Sequence, residues 1–164
     1  MLPQHRAKVS LKNPYHFLGL GFGSGLAPVM PGTFGSLAAI PLLYAASFLP
    51  DIAYVGVSLA LFCAGIIICQ KTTDALELHD HGSIVWDEIA GMFVTFLFVP
   101  MTWQTLLIGF LLFRCFDILK PFPIRYFDKK VHGGFGIMFD DILAGVLACG
   151  VMHLMLAYFA QYLA

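Results

Sequence analysis

Residues 86–120 read WDEIAGMFVTFLFVPMTWQTLLIGFLLFRCFDILK, and the way they divide decides the fold. From Ile89 to Phe113 there are 25 residues without a charge. One tilted span would use them all, whereas a tight hairpin would turn at Pro100-Met101-Thr102-Trp103-Gln104. Proline lacks a backbone donor and disfavours helix in the residue before it, which marks the break. Trp103 then falls at the far interface, where aromatic rings prefer to sit. Each arm reaches spanning length only with its polar end, Ile84 to Glu88 on one side and Arg114 to Lys120 on the other. The hairpin keeps those two ends on one face of a bilayer, and the single span separates them.

Working outward, Leu37 to Pro50, Ile52 to Gln70 and Ile142 to Ala164 are also free of charge. Five spans follow, at about 35–50, 52–70, 86–100, 104–120 and 141–162, so the expected class is an all-α polytopic membrane bundle forming one domain over 1–164. Composition agrees. Hydrophobic residues make up 59% of the 164 and charged ones 12%, with a mean hydropathy of +0.83. A soluble domain carries about a quarter charged residues, so this chain lacks the polar surface to stay in water. A formal net charge of −1 gives no basic footprint for nucleic acid.

On the hairpin model all nine Lys and Arg lie on the starting side: Arg6, Lys8, Lys12, Lys71, Arg114, Lys120, Arg125, Lys129 and Lys130. The positive-inside rule makes that side cytoplasmic. Nine of the ten acids join them, leaving Asp51 outside. Residues 1–16 are basic but lack the apolar core and cleavage site of a signal peptide, so a mature cytoplasmic tail is expected. Cys63, Cys69, Cys115 and Cys149 have no metal-ligand spacing and are expected to pack as small hydrophobes.

Four polar clusters share the charged face. Gly32-Thr33-Phe34-Gly35-Ser36 opens span one and offers close backbone approach and free helix N–H groups to an anion; simple capping is the alternative. His79-Asp80-His81 through Trp86-Asp87-Glu88 leads into span three, where Glu88 stands directly before a long uncharged segment. An ionised group there is costly and usually functional. Arg114, Asp117 and Lys120 fall within about 120° of one helix face, an ion-paired stripe or a carboxylate ligand flanked by phosphate-holding cations. Asp140-Asp141 opens span five; one acid suffices for a cap, and adjacent carboxylates repel unless a cation or proton joins them. Gly91 and Gly145 would let their helices pack closely. Hard oxygen ligands, helix N-termini and cations together describe phosphate chemistry with Mg²⁺ at a membrane surface.

At these residues the sequence resembles the phosphatidylglycerophosphatase A family. The matching stretches are GFGSGLAPVMPGTFGSLAAIP, HDHGSIVWDEIAGM, FRCFDILKPFPIRYFD and VHGGFGIMFDDILAG, from about Gly21 to Gly145. The resemblance implies a bacterial inner-membrane enzyme that removes the terminal phosphate of the phospholipid phosphatidylglycerophosphate with Mg²⁺. Within it we expect Glu88, Asp117, Asp140 and Asp141 to ligate the metal, with Asp87 in support. Thr33, Gly35, Ser36, Arg114, Lys120 and Arg125 are expected to hold the substrate phosphate, with His79, His81 and Lys129 as further contacts. No Cys-x₅-Arg loop, D-x-D-x-[TV] motif or P-S-G-H segment is present, and Asp140-Asp141 does not sit in a CDP-alcohol transferase pattern. Direct attack by a metal-activated water is what remains. A small transporter or channel subunit is the competing class, but it requires polar residues near the bilayer midplane, where these spans have almost none.

Overall fold

The computed structural model describes residues 8–77 and 81–163, and in it prolines and short polar residues set the helix starts. Helix α1 (Pro14–Gly19) is capped by Asn13, whose side chain accepts from the Tyr15 amide at 3.0 Å. After a 3-10 segment (Gly21–Leu26), α2 (Pro31–Ala46) opens on a proline, at the one turn where a missing amide costs nothing. Helix α3 (Asp51–Leu76) carries Asp51 in its first turn, against the positive end of the helix dipole. Then come α4 (Trp86–Thr95), α5 (Trp103–Leu119), the short α6 (Ile124–Asp128) and α7 (Gly133–Leu163). Among the described residues there is no β-strand, so the class is all-α as expected.

The chain turns back between α4 and α5. Phe98 takes a left-handed φ of 58°, and Thr102 and Thr105 form a capping box that starts α5. Arg114, near the end of α5, thereby returns to Glu88 at the start of α4, with 3.8 Å between Nη1 and Oε1. At the other end of the bundle Asp51, Phe98, Pro100 and Met101 share the wall of a cavity of about 500 Å³. Helix α7 starts beside the end of α3, where the Gly134 amide donates to Gln70 Oε1 at 2.7 Å. Further along, His153 Nε2 lies 2.9 Å from the Leu97 carbonyl oxygen. Helices α2, α3, α4, α5 and α7 therefore alternate in direction, with the described residues of the sequence clusters at one end and Asp51 at the other.

The boundaries differ from those expected. Helix α2 begins at Pro31 rather than 35, α3 runs on to Leu76, and α7 begins at Gly133 rather than 141. Helix α4 stops at Thr95 instead of reaching 100, and its ten residues extend only about 15 Å. On length and composition α3 and α7 each suffice to cross a membrane. The 16 and 17 residues of α2 and α5 cover about 24 and 26 Å. Helix α4 is short and enclosed by its neighbours, with all ten of its residues buried. Lipid instead meets exposed apolar side chains such as Ile52, Leu59, Leu111 and Leu154.

Glycines set how closely α4 is held. A Cβ on Gly145 of α7 would stand 2.5 Å from the Gly91 carbonyl oxygen of α4. One on Gly91 would meet the Phe113 ring of α5 at 2.5 Å and the Asp141 carbonyl oxygen at 2.8 Å. The expected close packing is present. Because a Cβ on Gly145 would meet the Gly91 carbonyl and Val94 Cβ, Gly145→Ala is expected to lower stability by about 1–3 kcal/mol, read as an earlier unfolding transition in detergent. Wild-type stability of that variant would contradict the tight crossing.

Candidate active site

Helices α4 and α7 cross at Gly91 and Gly145, and that crossing presses the first turn of α4 against the second and third turns of α7. Asp87, Glu88 and Asp141 each offer a carboxylate oxygen, and these oxygens lie within 4.8 Å of one another. All three side chains are buried, Asp141 at 3% exposure. Glu88 Oε2 and Asp141 Oδ2 have no hydrogen-bond donor. Asp141 also lies in the field of Asp117, Asp87 and Asp140.

Two cations border the cluster. Arg114 Nη1 of α5 contacts Asp117 Oδ2 at 2.6 Å and approaches Glu88 Oε1 at 3.8 Å. Lys120 Nζ binds Asp140 Oδ2 and Asp128 Oδ1, each at 2.5 Å. Gly32, in the first turn of α2, closes the wall: a Cβ there would fall 2.1 Å from Glu88 Oε1 and 3.1 Å from Arg114 Nη1. Asp87, Glu88, Asp117, Asp140 and Asp141 thus face two cations, one of them shared with Asp128. A buried excess of carboxylate repels itself unless a cation joins it. Oxygen-only donors and two buried oxygens without a partner fit a hard divalent ion such as Mg²⁺.

The expected metal quartet is divided in this arrangement. Asp87 joins Glu88 and Asp141, while Asp117 is held by Arg114 and Asp140 by Lys120. The expected stripe of 114, 117 and 120 is also shortened. Helix α5 ends at Leu119, and Lys120 takes a left-handed φ of 42° that directs it towards α6 and α7. The Asp140-Asp141 pair lies well inside α7 rather than at its start, with Asp140 paired there to Lys120.

The α2 residues are placed as follows. Ser36 is fully buried, and its Oγ donates to the Gly32 carbonyl at 3.0 Å. Gly35 backs onto Val85, and Thr33 is half-buried in the first turn. His81 Nδ1 accepts from the Ser83 amide at 3.2 Å, whereas His79 lies outside the described residues. Arg125 and Lys129, with Lys120, line a surface groove of about 510 Å³. The residue pattern marks Gly32 for close approach without naming Glu88 as its neighbour, and it gives no signal for Asp128 as the second partner of Lys120.

A sequence model of the family described as phosphatidylglycerophosphatase A matches residues 17–156. The chain belongs to that family. A phosphatidylglycerophosphatase A from Escherichia coli (strain K12) is 48% identical over 158 residues, covering 93% of this chain and 92% of the relative. The Haemophilus influenzae protein of the same name is 52% identical over 143 residues, 86% of this chain and 88% of its own length. A relative from Bacteroides thetaiotaomicron, 39% identical over 79% of this chain and 85% of its own, is named provisionally for phosphatidylinositol-3-phosphatase activity. No solved structure matches. Family membership makes the chain a phosphatase, a phosphoric monoester hydrolase, and its apolar helices make it a membrane protein. The cluster at α4 and α7 lies inside the matched region.

Proposed function

We propose that the protein hydrolyses the terminal phosphate of phosphatidylglycerophosphate, giving phosphatidylglycerol and inorganic phosphate, at the cytoplasmic face of a bacterial inner membrane. The observation that carries the site is the convergence of Asp87, Glu88 and Asp141 beside Arg114. The substrate comes from the names of the two phosphatidylglycerophosphatase relatives. These three carboxylates would hold Mg²⁺, which supplies polarisation of a phosphoryl oxygen and a more acidic water.

The chain's own residues do the rest. Arg114 presents a planar fork that can take two phosphoryl oxygens at once, and Asp117 fixes its direction. Lys120 holds Asp140 beside the cluster. Water adds to phosphorus, the bond from phosphorus to the glycerol oxygen breaks, and that oxygen leaves with a proton. Apolar helices around the site suit a substrate whose acyl chains stay in the bilayer.

Purified protein with phosphatidylglycerophosphate is expected to release one phosphate per lipid with Mg²⁺ and almost none in excess EDTA. Undiminished release in EDTA would remove the metal from the mechanism. Faster release from phosphatidylinositol 3-phosphate would reassign the substrate. In a background without native cysteines, Trp103→Cys is expected to react with an impermeant reagent only from outside. Reaction only from the cytoplasm would reverse the orientation.

A further inference from the structure

The groove beyond the end of α5 has an unusual charge balance. Residues 120–130 contain Lys120, Arg125, Lys129 and Lys130 against a single acid, Asp128, which is bound to Lys120. Lys130 is committed to Tyr126, 2.7 Å from its hydroxyl and 4.4 Å from its ring centre. Arg125 and Lys129, one helical turn apart and both exposed, make no ion pair among the described residues. They line the 510 Å³ groove together with Lys120. Its rim is apolar and open, with Phe122 85% and Leu119 69% exposed, a composition that suits the level where hydrocarbon meets head groups.

Lys120 belongs to both places. It forms one wall of the groove, and its ammonium also contacts Asp140, the chain neighbour of Asp141 in the carboxylate cluster. A ligand extending from one to the other would carry two anionic groups a few atoms apart. Phosphatidylglycerophosphate does: its monoester and the diester to diacylglycerol are joined by one glycerol.

We propose that Arg125 and Lys129, with Lys120 at the boundary, form a second anion subsite that takes the diester phosphate of the lipid whose monoester is cleaved. This rests on the substrate reading above. The subsite selects lipids with a phosphodiester behind the reacting phosphate over phosphatidic acid, whose only phosphate is the monoester.

The test compares kcat and KM on phosphatidylglycerophosphate and phosphatidic acid in uncharged micelles, for wild type, R125A/K129A and R125K/K129R. Each lost charged contact is worth about tenfold in binding, so R125A/K129A is expected to cut the preference for the diester lipid about 100-fold, mainly through KM. The charge-preserving variant should restore most of it. Equal losses on both lipids would mean general attraction to anionic surfaces and overturn the subsite, as would an unchanged preference. If wild type leaves phosphatidic acid uncut, inhibition by phosphatidylglycerol, a diester without the monoester, decides instead. Its inhibition constant should rise about tenfold or more in R125A/K129A, and an unchanged constant would overturn the subsite. Wild type that releases no phosphate from phosphatidylglycerophosphate would overturn the substrate reading itself, and the subsite with it.

Discussion

Asp141→Asn protein, folded like wild type, is expected to hydrolyse the lipid at least about 10²-fold more slowly, with the loss in kcat. Asparagine keeps the shape of the side chain and removes the anionic oxygen. The same change should act oppositely on the metal-free fold. Asp141 is 3% exposed and surrounded by Asp87, Asp117 and Asp140, so neutralising it relieves repulsion between buried carboxylates. Wild type should gain stability when Mg²⁺ is added, because an ion that binds only the folded state shifts unfolding by mass action. The variant should lose most of that gain. Thermal unfolding with and without Mg²⁺ reads both effects. Full activity together with an unchanged response to Mg²⁺ would remove Asp141 from the ligand set.

Arg114 gives the second large effect. It contacts Asp117 at 2.6 Å and Glu88 at 3.8 Å, with its side chain 14% exposed. Arg114→Ala leaves the mostly buried Asp117 without its cation, which costs up to about 3 kcal/mol of stability, and removes the fork from the phosphoryl group. Activity should fall about 10³-fold. Arg114→Lys keeps the charge without the bidentate geometry and should retain more stability than activity. Pairing Arg114→Ala with Asp117→Asn separates the two roles, because stability should recover while hydrolysis should not. If that double variant regained activity, Arg114 would be a structural counter-ion, and the phosphate would be held elsewhere.

How much of this the sequence discloses depends on what fixes each feature. The order of the five long helices and the turn near Pro100 follow from charge-free runs and proline, which act locally. The gathering of polar clusters at one end follows from where Lys and Arg lie along the chain. Helix lengths were harder to read. Helix α4 is buried along its whole length, and a buried helix need not match a bilayer. Ion pairing was harder still. The Arg114–Asp117 pair is an i, i+3 contact on one helix and is visible in the sequence. The Lys120–Asp140 pair joins residues twenty apart through a left-handed turn and the rotation of α7. Asp87 joins Glu88 in the carboxylate cluster for a similar reason. The Gly91–Gly145 crossing sets which carboxylates meet, and residue spacing does not report the depth of that crossing.

The shortness of α4 also bears on how the protein is made. Ten residues with Asp87 and Glu88 in the first turn are too few and too charged at one end to enter a bilayer as a separate hydrophobic segment. Helix α4 must therefore leave the insertion machinery together with α5, as a pair whose second member supplies the length. Even then Glu88 lacks Asp141, which arrives only with α7, synthesised after α4 and α5. A nascent chain released before α7 would hold carboxylates at membrane depth with part of their site missing.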